Sequence, residues 1–204
     1  MTTQHNRNGR VSLPITLTAL FALALAFTLS CSNSGGGSDD GGGGGNNNGG
    51  GASCGKLMSQ NLNVNVDGSV CYGNDPANCI KYGRLYDWAT AMNLPAKCNR
   101  TLSTSDPDCA IQNKHKGICP SGQHIPSKEE LEEYGSYGCL KNQAGGLGSS
   151  GGDFDDVGNG GYWWSSQEYN SNSAYNRGMY YCYEDAGYND YAKSRLFSVR
   201  CVKD

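Results

Sequence analysis

Residues 162–191 hold eight Tyr and two Trp, interleaved with Asn170, Asn172, Asn176, Asn189 and Asp190. Rings flanked by amides suit binding chemistry: a tyrosine offers a large flat face at small entropic cost, and neighbouring amides pair with hydroxyl groups. Tyr169, Asn170, Asn172, Tyr175, Tyr188 and Tyr191 are therefore the candidate ligand-binding residues. The competing expectation is structural. A chain with only 4 Phe needs Tyr162, Trp163, Trp164 and many of its tyrosines to fill a core.

Catalytic chemistry finds little to work with. Only His115 and His124 follow the amino-terminal leader, no Ser sits on a strand-to-helix elbow, and no carboxylate pair has an identifiable perturber. A non-enzyme without cofactor is the expectation. His115, Cys119 and His124 have ligand-like spacing but no paired Cys-x-x-Cys and no fourth ligand nearby. Asp153, Asp155 and Asp156 open like a calcium loop, yet Val157 and Trp164 stand where oxygen ligands belong. No metal is expected at either place.

The cysteines must be read with the leader. Arg7 and Arg10 precede an apolar run from Val11 to Leu29, and Thr28-Leu29-Ser30-Cys31 closes it with a small residue before a cysteine. Residues 1–30 thus read as a bacterial lipoprotein signal peptide and Cys31 as the lipid attachment site, with Thr28 where such signals carry Leu. An uncleaved signal anchor is the alternative. Both place the remainder outside the cytoplasm, where disulfides persist. Residues 31–53 continue as a Gly/Asn-rich tether with eleven Gly from Ser32 to Ser53. Its r.m.s. reach is about 25 Å, enough to clear lipid headgroups. Of the nine cysteines after Cys31, local spacing pairs Cys71 with Cys79 and Cys98 with Cys109. Cys119, Cys139, Cys182 and Cys201 remain, with Cys54 expected to be unpaired or linked to another molecule.

The elements that must position these residues lie in 54–204, one domain by length. Leu85, Trp88, Ala89 and Met92 make one apolar stripe, predicting a short helix that Leu94-Pro95 ends. Ser127 and Glu130 predict a capping box opening a second helix through Tyr134. Residues 162–166, 178–183 and 196–202 read as strands, the last with Phe197, Val199 and Cys201 alternating with Ser198 and Arg200. Two short helices followed by twisted antiparallel strands give an α+β class, stapled by disulfides. The formal charge of -3 offers no basic surface, which excludes nucleic acid as a partner.

Four blocks carry a resemblance. They are Cys71-Tyr72-Gly73-Asn74-Asp75-Pro76-Ala77-Asn78-Cys79 continuing through Lys81 to Ala89, the block Gly117 to Ser127, the block Gly161-Tyr162-Trp163-Trp164-Ser165-Ser166, and Phe197 to Val202. In this order they resemble the Fibrobacter succinogenes major paralogous domain. The resemblance implies a surface or secreted lipoprotein with a fold similar to C-type lectins and formylglycine-generating enzymes. It implies pairing of Cys119 with Cys201 and, with that, of Cys139 with Cys182.

Anchor, tether and an aromatic, amide-rich loop region together predict a non-catalytic adhesion module on the cell surface, lipid-anchored in the outer membrane and facing outward. Its expected ligand is a polysaccharide or a surface protein. A structural coat protein without a specific ligand is the alternative, and a fold-related enzyme ranks behind both.

Overall fold

A computed structural model of the protein describes residues 54–181 and 185–204. The expected signal peptide, the tether with Cys31, and Cys182 lie outside the described residues. Within them the chain is α+β, with short helices, antiparallel sheets and four disulfides. No helix among the described residues is long and apolar enough to cross a membrane.

Helix α1 runs Pro76–Tyr82, and α2 runs Trp88–Ala91. The first is an addition to the expected elements. Asp75-Pro76 reads as a turn, but the Asp75 carboxylate accepts from Ala77 N and Pro76 fills the first helical position, where its missing N–H costs nothing. Gly83, at φ 78°, ends it, with a Cβ there meeting Leu62 O at 2.8 Å. Helix α2 is shorter than its apolar stripe because Leu85 and Tyr86 form bridges with Val70 and Phe197 instead. Strand β1 (Gln123–His124) leads to α3 (Lys128–Tyr134), which opens on the expected capping box of Ser127 and Glu130, and α4 (Tyr137–Leu140) follows.

Strands β2 (Leu147–Ser149) and β3 (Phe154–Asp155) pair with each other, and β2 pairs with β7 (Arg195–Leu196). The main sheet is an antiparallel meander of β4 (Gly160–Glu168), β5 (Ser173–Tyr180) and β6 (Asp185–Ala192). The strand expected over 178–183 thus begins earlier. The Asn170 carboxamide oxygen accepts from Asn172 N at 2.8 Å and Ser173 N at 2.9 Å, so a tight Asx turn starts β5 at once. Strand β8 (Val202–Lys203) pairs with β1.

Residues 196–202 do not form one continuous strand. Between β7 and β8 the chain is threaded through the core, with Phe197 N donating to Tyr86 O, Ser198 N to Tyr162 O, and Leu62 N to Val199 O. Its alternation hides nothing from protein on either side, since Ser198 and Arg200 are as buried as Phe197 and Val199. All three Trp are buried, and each indole N–H is satisfied: Trp88 by Ser165 O, Trp164 by Tyr86 O, and Trp163 by Asn61 Oδ1 at 2.7 Å. That same Oδ1 accepts from Arg200 Nε at 3.0 Å, while Asn61 Nδ2 donates to Tyr82 O, Gln143 O and Ser198 Oγ. Burial lowers the Arg200 guanidinium to about 10.

Three expected bridges are present: Cys71–Cys79, Cys98–Cys109 and Cys119–Cys201. The fourth is a correction. Cys139 is bonded to Cys54, not to Cys182, so Cys54 is not an odd thiol. Its position at the tether's end suggests nothing about pairing; the contact arises because Leu57 bridges Val202 and brings the segment against α4.

Candidate functional site

Register decides which predicted binding residues share a face. Tyr175 of β5 pairs with Asp190 and Arg177 with Tyr188, whereas Ala174 pairs with Tyr191 and Asn176 with Asn189. Side chains alternate along a strand. Tyr175 and Tyr188 therefore lie on the sheet face that α3 approaches, and Tyr191 points the other way. There it meets Tyr162 and Phe197 edge-on, with centroids 6.0 and 5.4 Å away, as part of the core margin.

On the α3 side the rings form a row. Tyr169, 56% exposed, meets Tyr175 edge-on at 5.5 Å. Lys128, the first residue of α3, places its ammonium 4.6 Å from the Tyr175 centroid and 5.1 Å from that of Tyr188. The Arg177 guanidinium covers Tyr188 at 4.7 Å. Tyr188 is thereby committed: its ring lies between cations, and its hydroxyl donates to Lys128 O at 2.5 Å. Burial first, then Glu132 and Glu129 against the opposing Arg177, push its phenol up to about 12. Tyr169 and Tyr175 are left as the rings a ligand can reach.

Beside Tyr175 opens a groove of about 770 Å³. One wall comes from the loop carrying Gln112, Asn113 and Lys114, and the other from the start of α3 and the end of β4. Its carboxylates are held by neighbours. Glu168 accepts from Ser103 Oγ at 2.6 Å and Lys193 Nζ at 2.5 Å; Glu130 closes the capping box and meets His124 Nε2 at 2.9 Å. Glu129 accepts from the Gln167 amide at 2.9 Å, and its carboxyl is held low by its own backbone N–H, then by Ser127 and Gln167. Gln112 and Asn113 side chains make no hydrogen bond within the chain among the described residues. The groove thus presents uncommitted amides over an internally paired set of charges, an arrangement for holding hydroxyls.

The other candidates fall into structural places. Asn170 caps the β4–β5 turn, and Asn172 O accepts from Lys193 N at 2.8 Å. Cys119 is bonded to Cys201, His115 bridges Gln112 N and Met92 O, and both His124 nitrogens face carboxylates, Nδ1 meeting Asp204 Oδ1 at 2.7 Å. These three residues, read from spacing alone as possible metal ligands, are therefore each engaged within the fold. Sequence reasoning missed Lys128, Gln112, Asn113 and Gln167. Only Lys128 carried a local signal, its place directly after the Ser127 cap, because the groove draws on segments that are far apart in the chain. Compared with known proteins, the chain matches no family model, no curated protein and no solved structure.

Proposed function

We propose that this chain is a surface-displayed bacterial lipoprotein whose residues 54–204 form a non-catalytic glycan-binding module. The module is read as a member of the Fibrobacter succinogenes major paralogous domain family with a C-type-lectin-like fold. The Cys119–Cys201 bridge supports the family reading, since it falls where the resemblance puts it. The observation that carries the function is the Tyr169–Tyr175 pair standing beside an amide-lined groove. Ring faces stack on sugar faces, and amides both donate to and accept from hydroxyls. A polysaccharide suits the groove better than a flat protein surface does. Cys31 carries the acyl chains in this reading, which hold the module at the outer membrane through the tether.

Retention of the full chain on insoluble glucan and plant cell wall, beside a glycan array, tests the proposal. Tyr169→Ala and Tyr175→Ala should each weaken retention about tenfold, equivalent to ~1.4 kcal/mol, while Tyr191→Phe leaves it unchanged. Unaltered retention in both alanine variants would sink the aromatic site. The commitment of Tyr188 and Tyr191 within the fold favours the rival reading, a coat protein, and such a protein would show no retention at all. Fatty-acid labelling of the wild type and its loss in Cys31→Ser test the anchor.

A further inference from the structure

On the sheet face away from α3, Tyr162 of β4 and Tyr180 of β5 are diagonal neighbours. The register sets Tyr162 opposite Gly178 and Tyr180 opposite Gly160. A glycine therefore faces each ring, and any larger residue would crowd it. A Cβ at Gly178 would lie 3.3 Å from the Tyr162 ring, and one at Gly160 would lie 3.3 Å from the Tyr180 ring. The rings lean together edge to face with centroids 6.0 Å apart, and their hydroxyls touch.

Asp156 completes the group. Its Oδ2 lies 3.0 Å from Tyr162 Oη and 2.8 Å from Tyr180 Oη. Its backbone is in the left-handed region at φ 64°, which Asp tolerates better than most residues. The turn is fixed by Asn159 N and Gly160 N, both donating to Asp156 O. Two phenol oxygens, from β4 and β5, thus converge within 3.0 Å of one carboxylate oxygen of the preceding turn. Tyr162 is fully buried beneath them, whereas Tyr180 is 39% exposed and gives access from solvent.

We propose that Tyr162 Oη, Tyr180 Oη and Asp156 Oδ2 form one face of an octahedral site for a trivalent hard cation, ferric iron. Ligands about 2.0 Å from an octahedral ion stand about 2.8 Å apart, close to the two phenol-to-carboxylate separations of 3.0 and 2.8 Å, while the two hydroxyls, now in contact, must part slightly to admit the ion. The donors are all oxygen, with no thiolate or imidazole among them, which selects a hard ion. Charge selects its valence. On binding, both phenols lose their protons to solvent, and two phenolates plus one carboxylate neutralise a 3+ ion. A divalent ion would leave a net negative charge against a buried ring, which is costly. Iron enters and stays ferric, so no electron is transferred. The remaining positions go to water or to a small chelator entering past Tyr180.

Titrating the purified full-length chain with ferric nitrilotriacetate tests the site. The expected result is a visible phenolate-to-iron charge-transfer band that saturates at one iron per chain, with release of protons. Tyr180→Phe and Asp156→Asn should lose the band while keeping the far-UV circular dichroism and the disulfides of the wild type; Tyr169→Phe should retain it. Folded wild type without a band at saturating ferric chelate overturns the proposal, and so does a band undiminished in Tyr180→Phe. Tyr169 and Tyr175 lie on the opposite sheet face, so glycan retention is read independently.

Discussion

Asn61 shows how much one short side chain can organise. It accepts from Trp163 and Arg200 and donates to two backbone carbonyls and Ser198, tying the amino-terminal segment to β4 and to the threaded carboxy-terminal stretch. Replacing it by Leu leaves Nε of the fully buried Arg200 and the Trp163 indole N–H without an acceptor, while Arg200 Nη1 still donates to Cys139 O. The expected cost is about 3–5 kcal/mol, because removing one partner leaves the others desolvated and unpaired. Urea unfolding of Asn61→Leu measures it, and a loss under about 1 kcal/mol would show that the network adds little to stability. Nothing in the sequence marks Asn61. It is one of several Asn alternating with apolar residues, and its importance comes from partners up to 139 positions away.

At the scale of elements, a buried Lys193–Glu168 pair joins the end of β4 to the Cys98–Cys109 loop. Lys193 Nζ donates to Cys98 O and Thr101 O at 3.1 Å, meets Glu168 Oε1 at 2.5 Å, and lies 4.4 Å from the centroid of Trp88. Lys193→Met should cost about 3–5 kcal/mol by leaving Glu168 unpaired, and the double variant with Glu168→Gln should recover most of that loss. Chemical denaturation of the single and double variants decides it; equal losses in both would mean that the lysine acts through packing alone. The contrast between legible and illegible elements has the same origin. Helix α3 was readable because its capping box lies within four consecutive residues. The short disulfide loops were readable for the same reason. Helix α1 was misjudged because Asp75-Pro76 starts turns and helices alike. The strand ends depend on pairing with distant segments, so alternation placed them only approximately. Composition singles out Tyr169 and Tyr175 together with Tyr188 and Tyr191, but which of them face outward is fixed by register, which composition does not carry.

Across the whole molecule the disulfides fall into two kinds. Cys71–Cys79 and Cys98–Cys109 close local loops, whereas Cys54–Cys139 and Cys119–Cys201 span 85 and 82 positions. The two long bridges interlock: Cys139 lies between Cys119 and Cys201, and Cys119 lies between Cys54 and Cys139. This interlocking changes how the chain responds to tension. A force applied between residue 54 and the carboxy terminus travels along the shortest covalent route, across to Cys139, back along the chain to Cys119, over to Cys201 and out. Stretched taut, that route spans about 80 Å, against about 500 Å for the reduced chain. Optical-tweezer extension of oxidised and reduced protein should differ by that ratio, and equal extensions would mean that the long bridges do not both form. The oxidised chain can therefore yield by only a small fraction of its contour before the sulfur bonds themselves bear the load.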